Sequence, residues 1–182
     1  LSDPKKFKKM PMIGFNFRMT EMEAAMGLAQ LPKLKKIVKE KYEIAQILSR
    51  GLKKLKYIQT LKEKKNCTYS YYMYPIILDC KKIGKKRDQI VKDLLKLKVQ
   101  CRGGFYNLHR LPLYKDKKSY LSKKYPKIFS GNKRDERCVV AERLHNETFL
   151  SFQLCSFTYT KMDAHKIVKA FNKLWKKYKI KE

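Results

Sequence analysis

Gly14-Phe15-Asn16-Phe17-Arg18-Met19-Thr20-Glu21-Met22-Glu23-Ala24-Ala25-Met26-Gly27-Leu28-Ala29-Gln30-Leu31 is the stretch from which the rest of this 182-residue sequence is best read. A glycine turn leads to an asparagine held between two aromatic rings. Thr20-x-x-Glu23 then has the form of a capping box, with the threonine hydroxyl ready to accept from a first-turn amide. Met22, Ala25, Met26 and Ala29 recur at helical spacing, and their methionines are expected to fill core. Ala24, Ala25, Gly27 and Ala29 are small enough to let the helix approach another backbone closely. Asn16 and Arg18, just ahead of the helix start, can present donors to an anion such as a phosphate.

Outward from this stretch the chain alternates between helix and strand patterns. Residues 1–13 are basic, carry Pro4 and Pro11, and read as a loop. Pro32 ends the first helix or opens the next one. From Lys33 to Leu55 the residues Leu34, Ile37, Val38, Ala45, Leu48, Leu52 and Leu55 follow one face of a long amphipathic helix. Thr68 to Leu78 is rich in tyrosine and isoleucine and predicts a strand. A helix is expected over 85–98 and a short strand over 99–102, running into Gly103-Gly104. Residues 105–132 read as a long loop, 135–146 as a helix and 148–152 as a strand. Thr160-x-x-Asp163 opens a last helix carrying Ile167, Val168, Phe171, Leu174 and Trp175. The order predicts an α/β layer, a small sheet covered by helices.

Composition narrows the function classes. There are 45 Lys+Arg against 16 Asp+Glu, a net charge of +29. Such a balance attracts nucleic acid or anionic surfaces. The cations are mostly lysine and lie on the polar faces of most segments, whereas nucleic-acid readers concentrate arginine and aromatics in one element. A compositional bias therefore accounts for the charge, and nucleic acid is not the expected partner. No apolar run approaches the roughly 20 residues of a membrane helix, and no secretory leader opens the chain. Cys67, Cys80, Cys101, Cys138 and Cys155 are odd in number and irregular in spacing, which predicts reduced thiols in a cytoplasmic protein and no metal site. The chain starts at Leu1 without a methionine, a first sign of a fragment. No P-loop, G-x-S-x-G, H-E-x-x-H or G-x-G-x-x-G is present. His145 and His165 fall in helices and read as surface or core residues. His109 sits in the long loop beside Tyr106 and Arg110.

The Gly14–Leu31 run resembles, nearly residue for residue, the signature of the DegT/StrS sugar aminotransferases. Arg102, Phe105-Tyr106-Asn107-Leu108-His109 and Pro112-Leu113-Tyr114 are similar to that family's R-x-x-F-Y-x-[LM]-H-x-x-P-x-Y stretch, with Asn107 where proline is common. Cys138-Val139-Val140-Ala141-Glu142 is similar to its C-P-V-A-E helix start, with Val139 in place of proline.

The resemblance implies the C-terminal part of a fold like that of the aspartate aminotransferases, which depend on pyridoxal 5'-phosphate. Residues 1–60 would be the end of a large-domain region, with the cofactor-contacting loop and a long connecting helix. Residues 61–182 would be the C-terminal small α/β domain. Asn16 would reach the cofactor phosphate bound in the partner subunit of a homodimer with shared active sites. Arg18 would hold that loop or meet phosphate or substrate. Arg102, Tyr106 and His109 would lie near the substrate, a nucleotide-linked keto-sugar, with glutamate as amino-acid donor. The family's Schiff-base lysine and ring-pairing carboxylate lie upstream of the Asn16 signature, so the 182 residues alone are expected to be inactive, with no catalytic residue of their own. The rival classes are a basic nucleic-acid-binding module, which predicts binding that weakens steeply with salt, and a non-catalytic regulatory homologue.

Overall fold

A computed structural model of the chain describes residues 18–111, 120–126, 138–156 and 158–180. Helix α1 (Glu21–Gln30) starts at the capping box expected of it. The Thr20 hydroxyl accepts from the Glu23 amide at 3.3 Å, and the Glu23 carboxylate takes the Thr20 amide at 2.8 Å. A 3-10 turn with Pro32, Leu31–Lys33, passes into α2 (Leu34–Leu52), which ends one turn earlier than its apolar pattern suggested. Next come β1 (Ile58–Thr60), β2 (Tyr74–Leu78), α3 (Cys80–Ile83), α4 (Arg87–Lys96) and β3 (Arg102–Gly103). A 3-10 turn (Leu108–Arg110) is followed by α5 (Tyr120–Lys124), α6 (Val139–Arg143), a π-helical turn (Leu144–Thr148) and β4 (Phe149–Phe152). The last helix, α7 (Lys161–Lys177), opens at a second capping box between Thr160 and Asp163.

The sheet has the order β1-β2-β4-β3, and every pair is antiparallel. Tyr74 lies opposite Phe152 and Ile76 opposite Leu150. These four and Leu78 are buried, so one face of the sheet carries the core. The long helices cover it. Ile44, Ala45, Leu48 and Leu52 of α2 share one apolar cluster with Ile167, Phe171, Leu174 and Trp175 of α7 and with Ile90 and Leu94 of α4. Each large apolar side chain so buried contributes about 1.5–3 kcal/mol. Polar tips within this layer are satisfied: Tyr74 and Ser49 share a hydrogen bond at 2.7 Å, and Trp175 donates to the Lys56 carbonyl at 2.9 Å. Gly51 brings α2 and α7 together. A Cβ there would stand 2.5 Å from a Val168 methyl.

The structure departs from the sequence expectations where short elements compete. The strand expected over 68–78 is ordered as strand only from Tyr74. Tyr71 before it has φ +50°, which a strand does not admit, and its hydroxyl is bonded to Glu63. The strand of 99–102 is displaced to Arg102–Gly103, and the helix of 135–146 tightens to Val139–Arg143 before widening into the π-helical turn. Its expected first residues, 135–137, lie outside the described residues. Strand β1 and helix α3 had no strong periodic signal. The methionines of α1 are not core: Met22 is 80% and Met26 63% exposed, and no α1 residue is buried. The helical stripe is there, but no described element of this chain covers it.

Candidate functional site

Strand β3 sets Arg102 opposite Ser151 and Gly103 opposite Leu150, and the Gly104 amide donates to the Phe149 carbonyl at 2.9 Å. Gly104 has φ +76°, a conformation side chains resist, and it ends the strand. Beneath both glycines lies Arg87, 8% exposed. Its guanidinium donates to the carbonyls of His145 and Phe149 and pairs with Asp88 at 2.7 Å. A buried arginine needs these partners, since an unpaired charge is costly to desolvate.

From Gly104 the chain runs as an irregular strip over the α6–π-turn segment. The Tyr106 ring centroid is 6.0 Å from that of His145. His109 Nε2 lies 3.0 Å from Glu142 Oε1. Arg110 Nε donates to the same oxygen at 2.9 Å, and a second guanidinium nitrogen donates to Oε2. The Glu142 side chain is 16% exposed. Hydrogen bonds from Arg110, then from His109, hold its carboxyl down to about 2, because charge-assisted donors favour the ionised form. Three buried polar atoms along this segment have no partner among the described residues: Asn107 Nδ2, His145 Nδ1 and Thr148 Oγ1.

The residues singled out in the sequence fall into two groups. Arg102, Tyr106 and His109 are gathered on the single strip between β3 and the Leu108–Arg110 turn. Arg102 is exposed, and Tyr106 and His109 are half-buried. Arg18 is exposed ahead of α1 and shares no described hydrogen bond or ion pair with the strip. Asn16, with Phe15 and Phe17, lies outside the described residues. The first turn of α1 is already occupied. Thr20 takes an amide, and Glu21 and Glu23 meet the helix dipole. Ahead of this capped turn, Arg18 presents an exposed guanidinium. An exposed guanidinium suits the phosphate of a cofactor. It supplies no covalent anchor.

Glu142 and Arg87 were missed in the sequence. Glu142 stood in the Cys138–Glu142 block and could have been paired with the basic His109-Arg110 dipeptide. Arg87 opens a helix of otherwise ordinary amphipathic pattern and carries no signal of burial. The α6–π-turn segment also walls a groove of about 630 Å³ with β1 and α3, lined by Tyr57, Gln59, Lys82 and Arg143 among others. None of the singled-out residues lines it. Among the described residues no group of three or more His, Cys, Asp or Glu is placed to hold a metal ion. No helix among them is long and apolar enough to cross a membrane.

This fold is shared with solved aminotransferases. An aminotransferase from Psychrobacter cryohalolentis superimposes with a TM-score of 0.65 at 22% identity, over 92% of this chain and 41% of that one. The pyridoxal-phosphate form of a sugar aminotransferase, Spr1654 of Streptococcus pneumoniae, does so with a TM-score of 0.63 at 18% identity, over 88% of this chain and 37% of its own. In sequence, the model of the DegT/DnrJ/EryC1/StrS aminotransferase family matches residues 2–139. The chain belongs to this family. It is 37% identical over 103 residues to the GDP-perosamine synthase of Vibrio cholerae, covering 57% of this chain and 28% of that enzyme. It spans about 28% of the length of the first curated relatives it matches.

Proposed function

We propose that these 182 residues are the C-terminal part of a pyridoxal-phosphate-dependent enzyme that moves an amino group, from glutamate, onto a nucleotide-linked keto-sugar in the cytoplasm. The observation that carries the reading is the strip. The Arg102–Arg110 and Cys138–Glu142 blocks, each similar to the family's, meet at Glu142 through His109 and Arg110. The family match and the GDP-sugar relative of Vibrio cholerae support the substrate class.

In this reading Asn16 and Arg18 hold the cofactor phosphate. When bound, the cofactor serves as the electron sink for transamination. Arg102, exposed at the sheet edge, meets the anionic part of the substrate. Tyr106 and His109 border the sugar, and because Glu142 occupies His109 Nε2, Nδ1 is the nitrogen left to the substrate side. Residues 1–60 form the end of the large-domain region and the connecting helix, and residues 61–182 the small domain. The second half of the connecting helix packs into the core of the latter.

The enzyme is a homodimer with shared active sites. Met22, Met26 and Leu28 of α1 and Leu31 of the 3-10 turn that follows are all more than 60% exposed in this chain, and burying such side chains at about 1.5–3 kcal/mol each favours a covered state. The test is to assay the longer chain, extended upstream into the large domain, with glutamate, cofactor and a panel of nucleotide-linked keto-sugars. Aminated sugar is expected from the longer chain as a dimer. A longer chain that binds no cofactor and forms no amino-sugar would overturn the reading.

A further inference from the structure

Between Gly104 and Leu111 the chain has little backbone order of its own. Its backbone bonds are the Gly104 amide to Phe149 at one end and the short bonds of the 3-10 turn, Arg110 to Asn107 and Leu111 to Leu108, both at 3.0 Å. No strand partner continues beyond Gly103. Yet this strip carries Tyr106 and His109, together with Phe105 and Leu108, which are 63% and 65% exposed. Side chains that face a ligand need a rigid support, and one displaced by about 1 Å costs rate or affinity.

The support comes from across the chain. Glu142 is set on α6, whose first turn is closed by its own amide on the Cys138 carbonyl at 2.8 Å. From there one carboxylate receives both nitrogens of the Arg110 fork and the imidazole of His109. A two-pronged arginine contact fixes orientation as well as distance, which a lysine or a single hydrogen bond does not. The two donors are consecutive residues at the end of the 3-10 turn, so one carboxylate ties down the end of that turn.

We propose that Glu142 is a positioning residue for the substrate: it clamps the 105–111 strip through His109 and Arg110, and so sets where Tyr106, Phe105 and Leu108 meet the nucleotide-sugar. The assignment rests on the aminotransferase reading above. Glu142 itself touches no substrate. Its removal releases the strip and leaves the cofactor-binding end of the chain, at Arg18, unaltered.

The experiment uses the longer chain with cofactor bound and compares Glu142→Gln with the parent. Glutamine keeps the size but loses the charge and one acceptor. KM for the nucleotide-sugar is expected to rise about tenfold, the scale of one lost charge-assisted contact. KM for glutamate and the visible absorbance of bound cofactor are expected to hold. Arg110→Gln is expected to reproduce the effect, and the double variant to be little worse than either single one. Hydrogen exchange should quicken in 105–111 while Leu150 and Phe152 of the sheet stay protected. Unchanged KM for the sugar, or a parallel rise for both substrates, overturns the assignment. So does loss of protection throughout the sheet, which would make Glu142 a general stability residue. A parent enzyme that aminates no nucleotide-sugar overturns the functional reading and this inference with it; a fully active parent with an indifferent variant overturns the inference alone.

Discussion

Gly103 leaves no room for a side chain above Arg87: a Cβ built on it would sit 2.4 Å from the arginine Nε. The strip therefore starts from a glycine because a buried guanidinium lies beneath it. Gly103→Ala must push Arg87 away from the carbonyls of His145 and Phe149. A destabilisation of about 2 kcal/mol is expected from the disturbed buried contacts, read by urea unfolding of parent and variant. Unchanged stability would show that Arg87 moves aside freely.

The crossing of α2 and α7 depends on Gly51 in the same way. On propensity alone Gly51→Ala in a helix should help by about 1 kcal/mol. The Val168 methyl 2.5 Å from the added carbon reverses the sign. A net loss of about 1–3 kcal/mol is expected. Val168→Ala in the same chain should recover much of it, because the clash is removed. Additive losses in the double variant would contradict this contact.

Glu142 gives the chain an acid-sensitive tie. Its carboxyl stands at about 2, below the ordinary 4.5, so the folded state binds its proton less readily than the unfolded state. Its contribution to stability is complete above about pH 4.5 and is lost as pH falls from there toward about 2. Thermal unfolding of parent and Glu142→Gln should differ most near neutral pH. The gap should close as the pH is lowered through that window. A gap independent of pH would mean that the charge is not what matters.

The cysteines report the same fold by reactivity. Burial pushes the Cys101 thiol up to about 12, whereas Cys67, Cys138 and Cys155 are exposed. Thiolate is the reacting form. Alkylation of the native protein near pH 8 should modify the three exposed residues well before Cys101, as mass spectrometry of the peptides would record. Early labelling of Cys101 would contradict its place between α4 and β3.

How much of this was legible in the sequence depended on the range of the interaction. The two capping boxes are local, and Thr20–Glu23 and Thr160–Asp163 were readable from spacing alone. The long helices followed from periodicity. The strand at Tyr74 was visible in its isoleucines and tyrosines, but its start was not, because the turn at Tyr71 is set by a hydroxyl contact with Glu63 on another segment. The three-residue β1 is too short for its alternation to register and exists only by pairing with β2. The strip residues Arg102, Tyr106 and His109 came from a family-like motif. Their tie to Glu142 spans over thirty residues, and no local rule connects them. The apolar face of α1 was readable as a stripe, and only the structure showed that no described element covers it.

In the function proposed above, these residues complete a sugar aminotransferase whose covalent chemistry is housed upstream. The most direct measurement compares amino-sugar formation by the 182-residue chain with that by the chain extended upstream, each supplied with pyridoxal phosphate, glutamate and nucleotide-linked keto-sugars. Product is expected from the extended chain and none from the 182 residues alone. Turnover by the 182 residues, or none by an extended chain that folds and dimerises, would contradict it.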